Sequence, residues 1–389
     1  MDLVERLSAS RGTIRTALQQ LTAEGLVVEL PGRGRKSRGR IVAPANRHGA
    51  GLMARTVGLV THGLGAISDD PIRYAGGRAE LAVGAAATQA LHAGGMHVLA
   101  ISADAFEESE VSHFISDAPF GVIATHPSCS SPRIRPLLER LASRGVRVVT
   151  TGHGSGADLE NTLVDRVLSD HEAGAYELTK WLLARGHRRI VEMASGSGEP
   201  GWALARTRGY RRAMEEARLK PLARIWANNV DPGFYSWVRH SADAPTRRAN
   251  SEEARESFQR RVRQIAGFVA SVALGADRVD AIMGSNDWDA SLILAACRLL
   301  GLEPNKQIAV VGYDDWVETE EREWEPAVPI ATVDKRNADV GREAVKLLMD
   351  RVEGKLPAVP QIRLVKPRLV EIGGESKGVI KEAELDFKM

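Results

Sequence analysis

The chain has 389 residues, 43% of them hydrophobic and 26% charged, which excludes a disordered polyelectrolyte and predicts two or three globular domains. A net charge of +2 excludes a uniformly cationic molecule, so any affinity for nucleic acid has to come from a local patch. Two cysteines, Cys129 and Cys297, far apart in sequence, exclude a disulfide framework and a CxxC zinc module.

The N-terminus lacks an apolar signal-peptide core, and no apolar run is long enough to cross a bilayer. A reducing cytoplasm and no membrane partner are therefore expected. Leu3, Leu7, Ile14, Leu18, Leu21 and Leu26 recur at helical spacing with a break at Ser8-Ala9-Ser10, which predicts two short helices, roughly 2–7 and 11–24. Ser10 is placed to cap the second helix and Gly25 to end it. "LVVEL" then reads as a strand, "PGRGRKSRG" as a tight turn and "RIVA" as a returning strand. Helix, turn, helix and hairpin make a winged helix-turn-helix. From Pro31 to Arg47 the chain carries Arg33, Arg35, Lys36, Arg38, Arg40 and Arg47 and no acid. Such a run alone is more often a solvated face. Joined to this helix pattern it points to DNA: Ser10, Arg11, Thr13, Arg15 and Thr16 occupy the first turns of the second helix, where a recognition helix meets base edges, and Arg33 and Arg35 sit at the hairpin tip, suited to a groove or phosphates.

The stretch "LVERLSASRGTIRTALQQLTAEGLVVELPGRGR", Leu3 to Arg35, resembles the second helix, recognition helix and wing of GntR-type winged-helix regulators, with the frame "SR-T-R-AL--L--EGL" intact. That family has another helix before this point, so the resemblance implies a domain lacking its first helix or a start further upstream. "PANRHGAGLMAR", 44–55, has no periodicity and reads as a flexible linker.

From Thr56 strand-like runs alternate with helical patterns. In order these are "TVGLVT", helix 74–94, "HVLAI", a helix near 107–117, "GVIAT", helix 133–144 and "VRVVTT"; then helix 171–186, "RIVEMA", helix 203–218 and "ARIWA"; then helix 251–274, "VDAIMGS", helix 287–300, "QIAVVGY", "IATVD" and helix 337–353. The alternation predicts α/β architecture with parallel sheets covered on both faces, and too many strands are present for one small sheet. Two doubly wound lobes with a ligand cleft between them fit, the ligand lying outside the carboxyl ends of the strands.

Four blocks carry a second resemblance, over most of 56–372: "HEAGAYELTKWLLARGHRRI" (171–190), "ARTRGYRRAMEEARL" (205–219), "VDAIMGSNDWDASLILAACRLLGLEPNKQIAVVGYDDW" (279–316) and "IATVDKRNADVGREAVKLLMDRVEGK" (330–355). They resemble the sensor of the lactose/galactose-repressor family, which shares the type I periplasmic-binding-protein fold. Arg206 falls where that family's sugar-contacting arginine falls. Polyhydroxyl ligands need carboxylates, amides and guanidinium groups at strand ends, with aromatic faces beside them. Asn286 and Asp287 follow "AIMGS", Asp314 follows "VVGY", His62, His126 and His153 end strands of the other lobe, and Asp170 opens the helix at 171. Trp202, Trp288 and Trp316 lie beside these positions, as a stacking wall or as core packing. Arg206, Asn286 and Asp314 are the expected ligand contacts, and the histidines are expected to line the cleft. Where the family often has Asp-Asn, this chain has Leu168-Ser169, and 231–256 is a long polar insertion placed to fold over the cleft mouth.

"GSGEPG", Gly196 to Gly201, fits a dinucleotide-binding glycine pattern, but Pro200 stiffens the turn and no acid follows at the required distance, so a tight effector-site loop is preferred. "HGSG" at 153–156 offers a serine with no base at a recognisable spacing, and no metalloprotease or P-loop motif is present, so catalysis and cofactors are not expected. The expected organisation is a winged helix at 1–43, a linker at 44–55, a sensor at 56–374 and a tail at 375–389, with lobe 1 at about 56–166 and 335–353 and lobe 2 at about 167–334 and 354–374. The expected function is that of a homodimeric, operator-binding transcriptional repressor controlled by a sugar or sugar derivative. The alternative is a sugar-binding receptor of a transport system without DNA-binding activity.

Overall fold

The computed structural model describes residues 10–23, 27–29, 40–42, 52–61, 75–117, 119–126, 129, 132–152, 163–195, 201–227, 252–315, 325 and 327–372. Near the N-terminus these form helix α1 (Arg11–Ala23) and the antiparallel strands β1 (Val27–Glu29) and β2 (Arg40–Val42), paired Val27 to Val42 and Glu29 to Arg40. Ser10 caps α1 as its chemistry predicts: its Oγ accepts the Thr13 amide at 3.1 Å. The predicted helix 2–7 and the hairpin tip lie outside the described residues. The predicted linker does not stay irregular to its end, because Leu52–Arg55 form a 3-10 turn that Thr56 closes by donating its hydroxyl to the Leu52 carbonyl at 2.8 Å.

The first large sheet contains β3 (Thr56–Thr61), β4 (His97–Ser102), β5 (Gly121–Ala124), β6 (Val148–Gly152), β7 (Asp165–Ser169) and β13 (Ile362–Val365), all parallel in the order β13-β7-β6-β5-β3-β4. "TVGLVT" is buried at every position, which is why it reads as a continuous apolar run rather than an alternating one. One face carries α2 (Ala75–Ala93) and α9 (Asn337–Val352), and the other α3 (Glu108–Asp117) and α4 (Ile134–Ser143). Helix α4 shows how sequence sets its packing. Ile134, Leu137, Leu138 and Leu141 make one buried stripe, Pro136 sits in the first turn where its missing N–H costs nothing, and Arg135 pairs with Glu139 at 3.0 Å on the outside.

The second sheet contains β8 (Ile190–Ser195), β9 (Ile225–Ala227), β10 (Ala281–Gly284) and β11 (Ala309–Val311), parallel in the order β11-β10-β8-β9. β12 (Ala331–Asp334) extends it through amide bonds such as Gly312 to Ala331 at 2.9 Å, and β14 (Arg368–Glu371) pairs antiparallel with β12. Helices α5 (His171–Ala184) and α6 (Gly201–Glu216) cover one face. Helices α7 (Glu252–Ala273) and α8 (Asp287–Leu299) cover the other.

The chain passes between the two sheets at Asp170, at Lys335-Arg336 and at Lys366-Pro367. This corrects the lobe boundaries. β7 at 165–169 and β13 at 362–365 belong to the first sheet because their backbones pair there, whereas the sequence reading gave most of both to the second lobe. Most of the insertion, 231–251, lies outside the described residues, and its last residues, 252–256, open α7, where a helix from 251 was expected.

Candidate ligand site

The polar residues named from the sequence for the second sheet gather at the carboxyl ends of its strands, around Arg206. Arg206 projects from the second turn of α6, is 7% exposed, and has every nitrogen engaged. Its Nε donates to His171 Nδ1 at 3.2 Å, Nη1 to the Ser285 carbonyl, and Nη2 to Asp314 Oδ1 at 3.2 Å. His171 Nδ1 is the acceptor in this contact. The guanidinium lies 3.5 Å from the Tyr313 ring centre and 4.6 Å from that of Trp202, so it is held between two aromatic faces.

Asp314 is shared. Its Oδ1 also meets Lys335 Nζ at 3.1 Å, and Lys335 is 4% exposed. Asp314 has φ of 103° and Asp315 φ of 60°, left-handed conformations that non-glycine residues rarely adopt and that the surrounding bonds must hold. Burial pushes the Tyr313 phenol well above its ordinary range, with Arg206 pulling back and the Asp314 and Asp170 carboxylates adding to the rise.

The remaining predicted residues divide by what they touch. Asn286 Oδ1 accepts the Asp289 amide at 2.7 Å and caps α8, and Asp287 and Asp289 in its first turn complement the helix dipole. Asp287 is 2% exposed and accepts Thr332 Oγ1 at 2.7 Å. It joins α8 to β12. Asp170 Oδ1 caps α5 through the Ala173 amide at 2.9 Å. His126 is half-buried just beyond β5, where its amide meets Thr151 Oγ1 at 3.3 Å. Of the two readings left open for Trp288, stacking wall or core packing, the contacts favour the second: it packs edge-on to Phe258 at 6.1 Å among the residues between α7 and α8. Trp202 keeps its place beside Arg206. His62, His153 and Trp316 lie outside the described residues, as do Arg33, Arg35 and most of the "GSGEPG" loop. Of the N-terminal set, Ser10, Thr13, Arg15 and Thr16 are exposed on α1, and nothing is described of the Arg11 side chain.

Sequence reasoning missed His171, Ser285, Tyr313 and Lys335. His171 and Tyr313 each adjoin a residue that was named. Ser285 contributes a backbone carbonyl, which no side-chain pattern signals. A further candidate on the first sheet is Glu80 of α2, 3% exposed, which accepts hydrogen bonds from Thr61 and Thr125 at the carboxyl ends of β3 and β5.

Comparison with known proteins agrees with this fold. A LacI-family regulatory protein from Chloroflexus aggregans superposes with a TM-score of 0.56 over 81% of this chain and 97% of its own, at 21% identity. The transcriptional regulator CelR in complex with cellobiose superposes at 0.54 over 93% of this chain and 90% of its own, at 20% identity. At such identities the likeness is one of fold. The HTH-type transcriptional repressor PurR of Vibrio vulnificus is 27% identical over 191 residues, 49% of this chain and 47% of that protein. The chain thus spans about half the length of the curated relatives it matches. Residues 179–373, half of the chain and the part that holds Arg206 and Asp314, match the model of the periplasmic binding protein-like domain, and the chain belongs to that family.

Proposed function

We propose that the protein is a DNA-binding transcriptional regulator, a repressor, whose operator affinity is set by a small-molecule effector bound at Arg206. The observation that carries this reading is the Arg206 cluster itself. A buried guanidinium between two aromatic rings, with a carboxylate beside it at the carboxyl ends of parallel strands, is the chemistry that recognises a polyhydroxyl ring. The relatives add support: one is a repressor by name, and another is described in complex with cellobiose. A sugar or sugar derivative is the effector class. In this reading Arg206, Asn286, Asp287, Asp314 and Trp202 serve it from the second sheet, Asp170 from the start of α5, and His62, His126 and His153 from the opposite wall.

The finer reading of the N-terminus is a GntR-type winged helix at 1–43, tied by the linker 44–55 to a two-lobed sensor at 56–374 with its cleft between the lobes. The Ser10-capped helix with Thr13, Arg15 and Thr16 exposed, followed by an antiparallel pair, supports it. The working unit is a homodimer, since one such module buries too little surface for specific binding and paired half-sites set the spacing. Ligand alters operator affinity only by its preference for one lobe arrangement, a coupling typically of about 1–3 kcal/mol.

The test is a gel-retardation titration on promoter fragments from the gene's own neighbourhood, with and without a panel of mono- and disaccharides. A shift that one sugar changes several-fold is the expected result. In Arg206→Ala that sugar loses its effect while retention without sugar is kept. Equal loss of retention and of response removes Arg206 from the effector role, and no retention under any condition removes the regulator reading.

A further inference from the structure

Behind Arg206, between α6 and the sheet, lies a small cavity with mixed walls. Leu178, Trp202, Ala203 and Met283 give it apolar sides, and Glu192 and Arg224 face it from β8 and from just before β9. Along β8, Ile190 and Glu192 share the face covered by α5 and α6, while Val191 and Met193 face α7 and α8. Glu192 is 6% exposed in a position where the strand pattern calls for an apolar residue. Its Oε1 accepts Arg224 Nη2 at 2.9 Å, and the same nitrogen reaches the Ala203 carbonyl at 2.9 Å and the Thr207 hydroxyl.

Among the described residues two buried polar atoms of this pair have no hydrogen-bond partner: the acceptor Glu192 Oε2 and the donor Arg224 Nε. Orphaned atoms of a buried ion pair are costly and in native proteins are nearly always met by a water or a ligand. Burial pushes the Glu192 carboxyl up, and Arg224, Thr207 and Arg206 pull it part of the way back, so the present partners do not fully offset its desolvation. What is missing is one group that both donates and accepts. A hydroxyl is such a group, and the cavity has room for a group of about that size.

We infer that this cavity is a hydroxyl subsite of the effector site, taking the primary hydroxyl of a hexose on its one-carbon arm, which donates to Glu192 Oε2 and accepts from Arg224 Nε. The inference rests on the sugar reading above. Arg206 and Trp202 line the same cavity, so a short arm projecting past them is the part of a sugar best suited to enter. An arm one carbon long places its methylene against Met283 and Trp202 and its oxygen between the two charges.

Isothermal titration of the full chain with three sugar pairs tests it, each pair a hexose and the same sugar lacking the primary hydroxyl: D-galactose and D-fucose, D-mannose and D-rhamnose, D-glucose and D-quinovose. One hexose is expected to bind, and its deoxy partner to bind about 10- to 100-fold more weakly. In the double variant Glu192→Leu, Arg224→Leu the ratio within that pair falls to about one. Equal affinity within the binding pair in the unaltered chain overturns the subsite and leaves the sugar reading standing. Binding by none of the sugars overturns both. A ratio retained in the double variant overturns the subsite even if the sugar binds.

Discussion

Gly209 is one helical turn beyond Arg206, at the place where α6 crosses α5. A Cβ added there would lie 2.1 Å from the Glu172 carbonyl oxygen and 2.8 Å from the Tyr176 amide nitrogen. Both are backbone atoms of α5 and cannot rotate aside. Ordinary contact needs well over 3 Å, so Gly209→Ala forces the helices apart by roughly 1 Å, an overpacking that costs about 1–3 kcal/mol. Alanine's better helix propensity returns at most about 1 kcal/mol, so the clash decides the sign. Gly267 on α7 supplies the control. It is exposed and helical, and a Cβ there meets nothing within 4 Å, so Gly267→Ala keeps the propensity gain without the clash. Thermal unfolding of the two variants, followed by circular dichroism, is the assay. With the net cost at most about 2 kcal/mol, Gly209→Ala should melt a few degrees below the parent, up to about 8 °C, and Gly267→Ala at the parent value or up to a few degrees above it. Indistinguishable melting of the two would refute the close α5–α6 approach and, with it, the placement of Arg206 that depends on it.

Two further outcomes are expected. The Arg363 guanidinium, 2.7 Å from Asp350, holds that carboxyl below the ordinary carboxylate range. A carboxyl depressed in the folded state stabilises fully above its unfolded value near about 4 and loses that contribution as pH falls through the lower folded value. Asp350→Asn should therefore be less stable than the parent near neutral pH, with the gap closing in acid. A gap in urea-unfolding stability that stays constant between neutral and acid pH would discount the pair. Replacing Arg33 or Arg35 with Ala should weaken operator binding and reduce the slope of affinity against salt by about one for each lost phosphate contact. An unchanged slope would take the hairpin tip out of the interface.

Buried parallel strands announce themselves in the sequence. "TVGLVT", "GVIAT" and "AIMGS" are apolar because both faces are covered, and the helices between them show one apolar stripe each. Three strands escape that signal. β7 opens with Asp165, buried to 5% exposure yet charged, because Arg351 clamps it from the end of α9 at 2.6 Å. That partner is far along the chain, so the residue reads as a loop. β13 is an edge strand with Ile362 and Leu364 exposed, and β14 has exposed Arg368 and Glu371 at its ends with half-buried Leu369 and Val370 between them. Neither has two covered faces to impose an apolar run. The same limit explains Trp288. A tryptophan beside strand-end polar residues looks like a stacking face, but its ring follows the inward face of α8, and only the position of Phe258 on α7 reveals which side that is.

The cluster was legible where chemistry and strand ends coincide, at Arg206 and Asp314, which the fold brings into contact, and illegible where one atom serves two distant partners. Asp314 Oδ1 is within 3.2 Å of Arg206 and 3.1 Å of Lys335, and Lys335 stands in the crossover between the sheets. Arg206 reaches a second crossover through His171, the residue after Asp170. These contacts bear on how a ligand could act at a distance. A molecule touching only the strand ends of one sheet has no differential affinity for two lobe arrangements and shifts nothing, however tightly it binds. A molecule that takes over one of Arg206's or Asp314's bonds must also change what holds His171 and Lys335, and both of those residues lie where the chain turns from one sheet to the other. The proposed effector site and the proposed switch therefore share side chains, and regulation requires no separate pathway between them.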